Sequence, residues 1–152
     1  LLTLPLRTEQ AALCELQQRY RDAALASDDP PLHDIARQVR AFLRGELQEF
    51  AVTLDLRGHT AFELAVWAAV ARIPHGQTRT YAWVADQVGG GRGAAQAAGA
   101  AVGANPIPLI IPCHRVIGAD GSLHGFAGGL QMKARLLALE SGQGMLDLNA
   151  LT

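Results

Sequence analysis

The sequence predicts an α/β chain in two parts: a small α/β unit over residues 1–57 and a mainly helical domain over residues 58–152. Three observations carry this expectation. The 152 residues suffice for one ordinary domain or for two small ones sharing a core. One stretch in the first third alternates apolar and polar residues with the period of a strand, whereas most of the remaining text repeats at helical spacing. Clusters of proline and glycine cut that text into short elements.

The opening "LLTLPL" is a candidate strand. "TEQAALCELQQRYRDAALA" sets Leu13, Leu16, Tyr20 and Ala24 on one helical face and stops at "SDDPP", with Cys14 reading as a core filler. "PLHDIARQVRAFLRG" carries a stripe of Ile35, Val39 and Phe42 and ends at Gly45. "EFAVTLDL" places Phe50, Val52, Leu54 and Leu56 on one face of a strand.

After "RGHT" the pattern turns helical. In "TAFELAVWAAVARI", Thr60 followed three residues later by Glu63 is the capping-box arrangement, and Phe62, Val66, Trp67 and Val70 form an apolar face. "PHGQ" is a turn, "TYAWVADQVG" a short helix, "GGGRG" a joint, and "AAQAAGAAVGA" a second short helix with unusually small side chains. Two short helices about a glycine joint resemble a helix-turn-helix, with a plain helical hairpin as the alternative. Pro106 and Pro108 forbid a long helix in "NPIPLIIP", which reads as a buried extended segment leading to Cys113. "VIGADGSLHGF" reads as a β-hairpin around "DG". "GLQMKARLLALE" is a final helix with Leu130, Ala134, Leu136 and Leu137 inward.

Composition narrows the function classes. Hydrophobic residues make up 49% and charged residues 18%, as in a globular chain, and no run of 18 apolar residues offers a membrane span. "LLTLPLRTEQ" has neither the basic segment nor the long apolar core of a signal peptide, and it lacks a methionine, so the natural start is expected upstream. The net charge of −1 is not the usual basic footprint of a nucleic-acid binder. Any DNA binding would lean on helix dipoles, backbone amides and a few placed side chains. Two cysteines make no disulfide framework, and without CxxC or HExxH no metal site is expected. A reduced, cytoplasmic protein is the default.

One of those cysteines sits in "LIIPCHRVI", where it reads as a core thiol, a metal ligand or a nucleophile. A free thiol titrates near pH ~8.5, so a nucleophile needs a partner to take its proton. His114 is adjacent and can act through one bridging water. A histidine base wants a carboxylate on its other nitrogen, and Glu140, directly after an apolar run, is the candidate.

At this point "NPIPLIIPCHRVIGADGSLHGFAGGLQMKARLLALE" closely resembles the active-site region of the O6-alkylguanine-DNA alkyltransferases, also called methylated-DNA–protein-cysteine methyltransferases. The "PCHRV" block with an upstream "NP" is highly specific, and the likeness extends through "AFELAVWAAVARIPHGQTRTYAWVADQVG". It covers residues 60–140 well. Residues 1–57 fit loosely as the family's degenerate ribonuclease-H-like N-terminal domain. Residues 58–152 fit the helical domain with its winged helix-turn-helix-like DNA-binding motif.

The resemblance implies direct-reversal DNA repair, in which Cys113 accepts the alkyl group of O6-alkylguanine once and irreversibly. It implies double-stranded DNA as partner, no cofactor, no membrane and a monomer. His114 would deprotonate the thiol through water, with Glu140 polarising it. Asn105 would hold the turn before Cys113, and Tyr81 would donate a proton toward guanine N3 and press on the DNA phosphate. Arg115 would be structural. Helix 94–103, with the small residues Ala94 and Ala97, would enter the minor groove. Val116 and the backbone near Phe126 and Ala127 would line the pocket for the base swung out of the stack.

The chain also departs from the family. Gln96 falls where relatives insert an arginine into the base stack, so weaker DNA affinity or less efficient base flipping is expected, without necessary loss of transfer, and Arg92 in the glycine joint is the candidate substitute. The joint is one residue longer than in close relatives. Phe126 stands where many relatives have tyrosine, Glu63 where glutamine is common, and the N-terminal zinc ligands of relatives are not recognisable. Two other functions compete with alkyl transfer: a catalytically weak or silent sensor of alkylated DNA on the same fold, and a cysteine hydrolase using Cys113, His114 and Glu140.

Overall fold

The structure is a computed structural model that describes residues 30–91 and 93–142. The helix expected around Cys14, the opening strand and Arg92 lie outside those residues. In chain order the elements are α1 (Pro30–Leu43), α2 (Ala61–Ala71), β1 (Arg79–Thr80), α3 (Tyr81–Gln87), α4 (Ala94–Gly103), a 3-10 turn (Cys113–Arg115), β2 (Val116–Ile117) and α5 (Gly129–Glu140).

Helix α1 buries Phe42 and half-buries Ile35 and Val39, then stops at Gly45, whose φ is 75°. Helix α2 starts on the full capping box: Glu63 N–H donates to Thr60 Oγ1 at 3.2 Å and Thr60 N–H to Glu63 Oε2 at 2.9 Å. Val66, Trp67 and Val70 are buried as expected, whereas Phe62 is 41% exposed. The Trp67 indole donates to the Ala101 carbonyl at 2.8 Å, tying α2 to α4. Helices α2, α3 and α4 pack on one another around the main core.

The turn between α3 and α4 has a steric reason for its glycine. A Cβ on Gly90 would lie 2.5 Å from the Ala94 Cβ and 2.9 Å from the Ala85 carbonyl oxygen, so only glycine permits this approach. A second core joins Phe42 of α1 to Leu109 and to Met132, Leu136 and Leu139 of α5.

Four expectations need correction. Residues 50–56 do alternate, with Phe50, Val52, Leu54 and Leu56 half-buried and Ala51, Thr53 and Asp55 exposed, but they pair with no strand among the described residues. Instead the Gln38 amide of α1 takes up the backbone of Ala51, accepting from its N–H at 2.8 Å and donating to its carbonyl at 3.2 Å. The "DG" does form a turn, closed by Gly118 N–H to the Ser122 carbonyl at 2.8 Å, but no hairpin. Val116 and Ile117 pair in parallel with Arg79 and Thr80, a partner distant in sequence.

The segment before Cys113 is buried but curls rather than extends. Ile111 N–H returns to the Ile107 carbonyl at 3.0 Å, and Leu109 takes a left-handed φ of 73° that its burial in the second core holds in place. The inward face of α5 is Met132, Lys133, Leu136, Leu139 and Glu140, while Leu130 and Ala134 face solvent. A buried lysine hid this register, because hydropathy counts lysine as a surface residue.

Candidate active site

Cys113 opens the 3-10 turn behind Pro112 and is 8% exposed. Asn105 spans the curl that precedes it: its amide donates to the Ile111 carbonyl at 2.8 Å and its Oδ1 accepts from Ile107 N–H at 3.0 Å. Burial pushes the Cys113 thiol up. The Asn105 amide, the Lys133 charge and the backbone amides of residues 113 and 114 pull the other way without overcoming it. At rest the thiol is therefore protonated and needs a base.

His114 is wholly buried, flanked edge-on at 6.4 Å by the rings of Phe42 and Phe126. No hydrogen bond joins its ring to Cys113. Its Nε2 lies 2.7 Å from Glu140 Oε1, and its Nδ1 has no protein partner. Burial lowers the imidazole pKa, opposed by Glu140 and aided by Arg115 and Lys133. A neutral ring donating from Nε2 to Glu140 leaves a lone pair on Nδ1, the state a general base requires.

Glu140, the last residue of α5, is saturated with donors. Arg115 gives Nε to Oε2 at 2.8 Å and Nη2 to Oε1 at 2.9 Å, and Gly76 N–H gives to Oε2 at 3.0 Å. Burial alone would raise its pKa; the hydrogen bonds from His114 and Arg115 outweigh that and hold the carboxyl at about 2. Arg115 also donates Nη1 to the Ile73 carbonyl at 2.7 Å, so the pair is anchored to the end of α2.

Cys113 faces a cleft of about 770 Å³. Helix α4 supplies Ala95, Gln96, Gly99, Val102 and Gly103; the segment after β2 supplies His124, Gly125, Phe126 and Ala127; Tyr81, Asn105 and Pro108 complete it. Tyr81 begins α3, whose N-cap Thr80 accepts from Trp83 N–H at 3.1 Å. Burial, and then the charge on Cys113 once it ionises, raise the phenol's pKa, so it keeps its proton. Gln96 and Ala97 are exposed on α4, whereas Ala94 is half-buried against the main core. Val116 is wholly buried in the main core and does not line the cleft, contrary to expectation. Among the described residues no group of three or more His, Cys, Asp or Glu side chains could hold a metal ion.

Two site residues escaped the sequence reading. Lys133 is wholly buried, and its ammonium donates to the Val116 carbonyl at 2.7 Å and the His124 carbonyl at 3.0 Å, 5.9 Å from the Tyr81 ring centroid. A signal existed: Lys133, Leu136 and Glu140 share one helical face, so a buried Glu140 implies a buried Lys133. His124 had no such signal.

Residues 61–142 match the family model described as 6-O-methylguanine DNA methyltransferase, DNA binding domain. The methylated-DNA–protein-cysteine methyltransferase of Mycobacterium tuberculosis H37Rv is 53% identical over 111 residues, which cover 73% of this chain and 66% of that protein. The inducible methyltransferase of Bacillus subtilis 168 is 43% identical over 124 residues, 82% of this chain and 68% of that one. The crystal structure of Mycobacterium tuberculosis OGT in complex with DNA aligns with a TM-score of 0.70 at 51% identity, covering 74% of this chain and 67% of that one. The O6-methylguanine-DNA methyltransferase of Pyrococcus kodakaraensis KOD1 aligns at 0.68 with 28% identity, covering 86% and 78%. This chain thus spans about two thirds, 66%, of the mycobacterial relatives' length. With a family model covering more than half of it, the chain belongs to the 6-O-methylguanine DNA methyltransferase family.

Proposed function

We propose that the protein repairs alkylated DNA by moving the alkyl group of O6-alkylguanine onto Cys113, once per molecule. The single observation that carries this reading is the buried His114–Glu140 pair, its Nδ1 left without a protein partner, next in the chain to a cysteine that faces a cleft large enough for a nucleobase. His114 takes the thiol proton through one bridging water, and the ionised Glu140 stabilises the imidazolium that results. The sulfur attacks the alkyl carbon; the S–C bond forms as the C–O6 bond breaks. Tyr81 gives its proton to the departing purine, and exchange with solvent restores the phenol and discharges His114. Acid–base groups do not cleave the C–S bond of a thioether, so the alkyl group stays on Cys113 and each molecule acts once. A free thiol suits the reducing cytoplasm. We also take residues 1–57 as the ribonuclease-H-like N-terminal domain and the protein as a monomer.

Incubation with a duplex containing O6-methylguanine should add one methyl group per chain by intact mass, mapping to Cys113 after digestion. Binding without mass gain would instead support a silent sensor, and turnover of a thioester would support a hydrolase. Gln96, exposed and uncharged on α4, sets the DNA affinity low. Gln96→Arg should tighten duplex binding and steepen the dependence of log K on log salt by about 0.9. A salt titration by fluorescence anisotropy reads both.

A further inference from the structure

Two aromatic rings close in the imidazole of His114, and they come from different parts of the chain. Phe126 lines the cleft, and Phe42 does not. Phe42 lies near the end of α1 and is 1% exposed, outside the residues 61–142 that match the family's DNA-binding domain. Its ring centroid is 6.4 Å from that of His114 at 69°, an edge-to-face contact. The same ring packs on Phe50 at 5.1 Å and meets His75 edge-on at 6.1 Å. Leu109, Met132, Leu136 and Leu139 complete the core around it. The charged and titratable groups about His114 are Glu140 and Lys133 of α5, with Cys113 and Arg115 on its own turn. Helix α1 meets it with the apolar ring of Phe42.

An apolar wall serves a buried base in a specific way. Water that reached the ring would solvate its charged form, and the imidazole would take a proton from solvent before taking one from Cys113. With water kept off, Glu140 is the strong partner of the charged form, and the dry surroundings strengthen that pairing. We infer that Phe42 is a positioning residue for the alkyl transfer: from outside the matched domain it seals one side of His114, holding the ring with Nε2 on Glu140 and Nδ1 as its free nitrogen. Phe42 is not part of the cleft lining, so it acts through His114 rather than on the purine. The inference rests on the alkyl-transfer reading above.

The test is the pH profile of single-turnover methyl uptake, read by intact mass with an O6-methylguanine duplex in saturating excess. An imidazole open to water titrates near pH ~6.5 and is about nine-tenths charged at pH 5.5. The rate of Phe42→Ala at pH 5.5 should therefore fall about tenfold below its rate at pH 8, while the wild-type chain should hold within about twofold. Phe42→Leu keeps an apolar wall and should follow the wild type. Phe50→Ala loosens the packing behind Phe42, and His75→Gln removes the other imidazole beside it; both should keep the wild-type profile. Where Phe42→Ala does not fold by circular dichroism, Phe42→Val opens a smaller gap and should show a fall of about threefold. A wild-type profile in the folded Phe42 variants, or the same fall in Phe50→Ala or His75→Gln, would overturn the inference while leaving alkyl transfer intact. Failure of every folded protein to gain a methyl group at any pH would overturn the alkyl-transfer reading and this inference with it.

Discussion

Replacing Glu140 with glutamine is expected to cost about 3–5 kcal/mol of folding stability and to slow methyl uptake about 10²–10⁴-fold. The side chain of Glu140 is 1% exposed and neutralises an Arg115 side chain that is 8% exposed. Removing one charge of a buried pair strands the other, which is the costly case. Glutamine can still accept from His114, so the fold retains a partner for the ring, but it offers no charge to the imidazolium formed when Cys113 gives up its proton. Urea unfolding and the rate of mass gain measure the two effects separately.

The same residue sets an acid limit. Above pH 4.5 the Glu140 carboxyl is ionised in both the folded and the unfolded chain, and its contribution is complete. As pH falls from 4.5 toward about 2 the unfolded chain takes up the proton first, and that stability is lost. His114 acts in the same direction. Its folded pKa is depressed, so below 6.5 the unfolded chain binds a proton that the native site excludes. Stability should therefore decline on acidification from about pH 6.5, and Glu140→Gln should flatten the portion below 4.5.

Lys133→Met should slow methyl uptake about tenfold at pH 7 and move the pH profile for iodoacetamide alkylation of Cys113 to higher pH. The ammonium is one of the few charges close enough to Cys113 to favour its thiolate. Burial lowers the lysine's own pKa, and the thiolate charge raises it in return. Methionine matches the length of the lysine stem, so packing survives. The carbonyls of Val116 and His124 lose their donor, and relief from burying a charge offsets part of that loss. The net cost should be about 2 kcal/mol by urea unfolding. A purely structural lysine would leave the alkylation profile of the folded protein where it was.

Much of the site was legible because its members lie close together in the text or follow a helical period. Cys113 and His114 are neighbours, and Glu140 ends an apolar run whose last turn packs inward. The capping box and both short helices were legible for the same local reason. What escaped depends on distant partners or breaks a hydropathy rule. Arg115 looked like a structural neighbour of the nucleophile, yet its guanidinium makes the ionised Glu140 tolerable in the interior. Lys133 contradicts the expectation that lysine faces water. The left-handed Leu109 offered no cue, since glycine or asparagine is the usual occupant of that conformation. Val116 and Ile117 looked like one arm of a hairpin because their true partner lies 37 residues upstream.

That two-rung parallel ladder has a consequence for the chemistry. Tyr81 directly follows one of its strands, and Cys113 precedes the other by three residues. The ladder thus works as a calliper: its register sets the gap between the phenol and the sulfur. A slip of one residue would offset the two jaws by about 3.3 Å, more than a hydrogen bond can bridge. An insertion beside Thr80 or Ile117 would leave every helix standing while the two reacting ends no longer met across the purine.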